Sequence, residues 1–192
     1  MNRNMKRVAV FAVALLAAGP AFAHPGHLSE SGFAHGLLHP LTGVDHLTAM
    51  LAVGIWSALA AQNGGRVWLA PLAFVATMLV GAVLGIAGIA LPAVEPGIAA
   101  SILVLGLAIA LRYAPSGPLG ALLIGLFALF HGHAHGTEAT GSVVAFIAGF
   151  AIVTAAIHVA GIGLGNVLMR MRLAVPVAGT LIAATGVWLL GS

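Results

Sequence analysis

Most of the side chains able to do chemistry lie in two short stretches, HPLTGVDH at 39–46 and HGHAHGTE at 131–138, each where a long apolar segment meets its flank. The chain has nine histidines, four acids and no cysteine. Imidazole and carboxylate without thiolate suit a borderline divalent transition metal, nickel and cobalt best. Ionisable groups at membrane depth are costly unless something offsets them, so such clusters read first as a binding site or an ion pathway.

In the first cluster His39 precedes Pro40. That position disfavours helix, whereas Pro40 suits a first helical turn, so a helix is expected to start there with His39 at its lip. His46, seven residues on, then returns to nearly the same face, because two turns take about 7.2 residues. Asp45, about 100° round from His46, either ligates from the side or fixes a histidine tautomer. Met50, one turn further, offers a thioether or simply packs.

In the second cluster His131 and His135 are four apart and Glu138 three further. A continued helix aligns these three and turns His133 away, although Gly132 and Gly136 weaken the helical premise. A lone histidine near an interface, such as His35 or His133, is more simply a hydrogen-bonded or snorkelling group. The combined set is harder to explain by packing. His158 stands apart, about 17 residues into its apolar segment. It is either a lone hydrogen-bonded group or a relay for metal or proton, with Asn166 as the best polar partner in sequence.

These residues need elements to carry them. With 61% hydrophobic and 6% charged residues, the chain is an integral membrane protein, far from the quarter or so of charged residues usual in soluble domains. Residues 1–23 carry a basic start (Arg3, Lys6, Arg7), a short apolar core and a small-residue site at Ala21–Ala23. They read as a signal peptide cut before His24, the alternative being an uncleaved first span. The new terminus, HPGH, gives His24 a free amine beside its imidazole, and His27 adds another donor. Pro25 cannot supply a deprotonated amide, so the terminus is a loose capture arm or else a disordered tail.

Residues 24–192 form one domain of six expected transmembrane helices, near 41–61, 67–91, 94–111, 117–135, 141–168 and 173–190. The fold is all-α. If His24 starts outside, Arg66, Arg112, Arg170 and Arg172 fall on the cytoplasmic side, as the positive-inside rule requires. Both histidine clusters and both termini of the mature chain then face outward, the periplasm of a bacterial inner membrane. Pairs such as Gly81/Gly85 and Gly161/Gly165 allow close helix packing. A three-plus-three inverted repeat is geometrically allowed, without a convincing sequence repeat. Removing residues 1–23 takes three of the seven basic residues and none of the acids, so the basic balance does not point to nucleic acid. No GxxxxGK[ST] loop is present, so the chain does not itself hydrolyse ATP.

HPGH after a signal peptide, HPLTGVDHLTAM at 39–50 and FHGHAHGTE at 130–138 resemble the signature segments of the HupE/UreJ family of nickel and cobalt permeases, over essentially the whole mature chain. The HPxxGxDH pattern matches at His39, Gly43, Asp45 and His46. The resemblance implies that His39, Asp45 and His46 are central to transport, that His131, His135 and Glu138 support them, and that His133 occupies a variable position. It implies a non-enzymatic permease whose substrate is Ni2+ or Co2+, with no required cofactor, serving hydrogenase or urease maturation. The metal ligands expected are His24, His27, His39, Asp45, His46, His131, His135, Glu138 and His158. Protons compete with metal for imidazole, so uptake should fall as pH drops through roughly 6. A membrane-embedded metal-dependent hydrolase is the alternative, though no HExxH is present. A haem carrier is disfavoured because the histidines cluster at one end.

Overall fold

The computed structural model describes residues 32–139 and 141–192. The expected signal peptide, His24 and His27 lie outside the described residues. Seven helices follow: α1 (Gly32–Thr42), α2 (Val44–Gln62), α3 (Leu69–Ile86), α4 (Val94–Ala110), α5 (Pro118–Glu138), α6 (Val143–Leu168) and α7 (Ala174–Leu190). No strand occurs among the described residues, in keeping with an all-α fold. Helices α2, α3, α5 and α6 are long and apolar enough to cross a membrane; α4 and α7 are apolar helices of 17 residues. Large apolar side chains such as Leu72, Leu122 and Leu181 face outward, while Ser57, Ser101, Thr154 and four histidines are buried. That inversion suits a lipid surroundings better than water.

The start of the first span differs from expectation. Pro40 lies inside α1, near its end rather than at a beginning. Having no N–H, it leaves a turn of α1 unbonded, and the helix stops two residues later. Gly43 follows in an extended conformation (φ −92°, ψ 120°), and its carbonyl accepts from Leu47 N–H at 3.0 Å to begin α2. His39 and His46 are therefore not on one continuous helix face. They flank a break, the kind of interrupted helix from which transporter sites are often built.

The helices pack in pairs through glycine. Gly81 and Gly85 of α3 rest on the backbone of α5 at Leu129–His133 and His133–Thr137, so the two helices run parallel. Gly54 of α2 rests on His158 and Gly161 of α6, and Gly165 on Ile55 and Ala58, again parallel. Gly32 and Gly36 seat α1 on the same helix at Ser142 and Phe146. Gly106 meets Ala183 while Gly179 meets Ala110, so α4 and α7 are antiparallel. Exchanging α2–α4 for α5–α7 carries the α3/α5 pair onto α6/α2 and the α4/α7 pair onto itself. The GxxxG pairs are thus the seats of whole helices. Gly132 and Gly136, which weaken helix propensity, lie within an unbroken α5 because Cβ atoms there would strike the carbonyls of Met78 and Ala82.

Both ends of the bundle are tied. Asn63 Nδ2 donates to Ala114 O and Arg112 Nη2 to Arg172 O, each at 3.2 Å, which gathers the arginine-bearing loops at one end. At the other, His39 pairs with Glu138, joining the α1/α2 break to the end of α5.

Candidate metal centre at the histidine mouth

The break at Gly43 and the last two turns of α5 bring His39, Asp45, His46, His131, His135 and Glu138 into one group. His135 is its middle member, with ring centroids 4.8 Å from His39 and 4.1 Å from His46; His46 is in turn 5.0 Å from His131. Side-chain exposure falls inward, from 22% at His39 to 12% at His46 and 2% at His135. Phe146 and Phe150 of α6 cover the group from the side.

Hydrogen bonds determine which nitrogens are available. Asp45 lies in the first turn of α2, where negative charge is favoured by the helix dipole. Its Oδ1 accepts from His46 N–H at 2.8 Å and lies 2.9 Å from His46 Nδ1 in an ion-pair contact. An ionised carboxylate can only accept, so Nδ1 carries the proton and Nε2 the lone pair. Asp45 thus orients His46, one of the two roles its position allowed. Gly43 of the motif gains its reason here, since a Cβ would come within 2.7 Å of Asp45 Oδ1.

A second relay works the same way on His131. Ser101 of α4 donates its only hydroxyl proton to Ile98 O at 2.6 Å, and so must accept from His131 Nε2 at 3.0 Å. The lone pair of His131 is left on Nδ1. Both His46 Nε2 and His131 Nδ1 are buried with no hydrogen-bond partner among the described residues, as are both ring nitrogens of His135. Buried polar atoms without partners are exceptions that require a reason, and lone pairs held ready for a cation supply one.

Nearer the surface, His39 Nε2 lies 2.9 Å and His135 Nδ1 3.9 Å from Glu138 Oε2. Ligand atoms of these three residues all fall within 4.8 Å of one another. Opposite donors on an ion with bonds of about 2.1 Å lie at most about 4.2 Å apart, so the triad needs to contract by only a fraction of an ångström.

The remaining sequence candidates fall elsewhere. His133 turns away and hydrogen-bonds Ile89 O at 2.8 Å, beyond the end of α3. His35 lies beside His39, ring centroids 5.2 Å apart. Met50 is in the apolar core. His158 is buried deeper in the bundle, whereas Asn166 is exposed and does not share its face, since eight residues rotate a helix by about 80°. Ser101 is the residue that reading by motif misses. Its signal was present: it is the sole hydroxyl in the apolar stretch 94–110.

The sequence also matches known proteins. A family model described as "HupE / UreJ protein" matches residues 12–189. A protein named "Protein HupE", from Rhizobium leguminosarum bv. viciae, is 42% identical over 174 residues, covering 88% of this chain and 90% of its own length. No solved structure matches.

Proposed function

Because the chain belongs to the HupE/UreJ family, we propose that it is a permease for a divalent transition metal, Ni2+ or Co2+, supplying the maturation of a hydrogenase or urease. The observation that carries this reading is the convergence of unpartnered imidazole nitrogens from α2 and α5 beside the His39/His135/Glu138 triad, at one end of an apolar bundle. Metal enters at the exposed Glu138 and the half-buried His39, loses part of its hydration to His135, and passes to His46 Nε2 and His131 Nδ1. Asp45 and Ser101 hold those two rings in the ligating tautomer. If they bind the ion, His24 and His27 act before this point, as a capture arm.

In this reading α2 to α7 are six membrane spans following a cleaved signal peptide. The parallel α3/α5 and α2/α6 pairs and the antiparallel α4/α7 pair have the directions that six alternating crossings require. With arginines at the opposite end from the histidines, the positive-inside rule puts the metal mouth in the periplasm. An inward divalent cation is then drawn by the membrane potential at about 2.3 kcal/mol per charge per 100 mV. The metal-dependent hydrolase alternative gains no support from the family match.

Accumulation of radiolabelled Ni2+ and Co2+ by cells expressing wild type, His46→Ala or His133→Gln tests the proposal. His46→Ala should abolish accumulation and His133→Gln keep it. Equal accumulation by wild type and His46→Ala at matched expression would refute the site.

A further inference from the structure

Inward of His131 the next ionisable side chain is His158, in the middle of α6 and 1% exposed. Neither of its ring nitrogens has a hydrogen-bond partner among the described residues. Its backbone carbonyl lies against Gly54 of α2, and its ring stands edge-on to Phe74 of α3 at 5.0 Å. The same phenylalanine meets His131 at 5.7 Å, so one aromatic ring adjoins both imidazoles. One turn nearer the mouth, buried Thr154 contacts the thioether of buried Met78 at 4.0 Å.

Depth follows from α6 itself. Phe146 lies beside His39 and Phe150 beside His135. His158 is two further turns along, about 12 Å beyond Phe150. The three described acids are far from it in the fold: Asp45 and Glu95 open α2 and α4, and Glu138 closes α5.

We propose that His158 is an inner coordination station for the transported metal, reached from His131 past Phe74, with the Met78 thioether and Thr154 hydroxyl as weak additional donors. Borderline divalent metals accept imidazole and thioether alike. One strong donor with two weak ones, and no carboxylate, holds an ion loosely enough to let it leave, which conduction requires. The inference rests on the permease reading above and adds a second stop to it.

The chain has no cysteine, so His158→Cys introduces its sole thiol. Purified full-length His158→Cys protein titrated with Co2+ should develop a thiolate-to-cobalt charge-transfer absorption that wild type lacks, a signature a merely space-filling histidine would not give. In cells, His158→Ala should accumulate Ni2+ at least tenfold more slowly than wild type. Equilibrium dialysis should show its binding at the mouth within about twofold of wild type. Absence of the charge-transfer band while wild type binds and accumulates metal would overturn the station and leave the permease intact, as would wild-type uptake by His158→Ala. Failure of wild type itself to bind or accumulate either metal would remove both.

Discussion

Ser101→Ala is the most searching test of the mouth, because Ser101 is proposed to touch no metal. It accepts one hydrogen bond, from His131 Nε2 at 3.0 Å in a fully buried position. Alanine leaves that N–H either unpaired, at a cost of about 1–3 kcal/mol, or free to move the proton to Nδ1. The second route places hydrogen on the proposed ligand lone pair. Since about 1.4 kcal/mol is a factor of ten, metal affinity should fall roughly tenfold to a hundredfold, the range found for residues that orient a metal-ligating histidine. Equilibrium dialysis with Ni2+ on purified protein, paired with cellular uptake, measures both effects. Ser101→Thr, which keeps the hydroxyl, serves as the control for packing. Undiminished affinity in Ser101→Ala would show that the His131 tautomer does not matter and would refute the reasoning.

Gly43→Ala should weaken binding by a similar factor, since its Cβ would crowd Asp45 Oδ1 while its φ of −92° remains allowed for alanine; unchanged dialysis would show that the Asp45–His46 pair tolerates displacement. His133→Gln should retain uptake within about twofold, its amide replacing the bond to Ile89 O, whereas a large loss would place His133 in the pathway. Gly132→Ala should destabilise the protein by ~1–3 kcal/mol through overpacking against the Met78 carbonyl. Gly163→Ala, facing open space, should be neutral or stabilising by up to ~1 kcal/mol. Thermal unfolding in detergent compares the two glycine variants, and equal midpoints would contradict the packing account.

Much of this was legible in sequence because the chemistry and the spacing are local. His131, His135 and Glu138 follow from i, i+4, i+7 geometry, and the six apolar segments fall close to the observed helices. What was not legible depended on partners distant in the chain. The α1/α2 break replaced the expected start at Pro40, because a proline can sit inside a helix that is about to end. The glycines of α5 counted against a helix by propensity, yet the backbone of α3 is what they accommodate. Ser101 carries no motif, and its role appears only when α4 is set beside α5.

Along α5, glycine and histidine interleave, and the two sets answer to different neighbours: positions 132 and 136 are occupied by the backbone of α3, positions 131 and 135 by the mouth. A deletion or insertion of one residue in this stretch would rotate the ladder by about 100° and drive bulky rings toward the places only a hydrogen atom can fill. Point changes at His133 leave the phase of that comb intact, while a change of length does not. The distance between the α5 imidazoles is therefore kept by steric indexing of one helix on another, and the geometry of the proposed metal site is inherited from an interface that lies outside it.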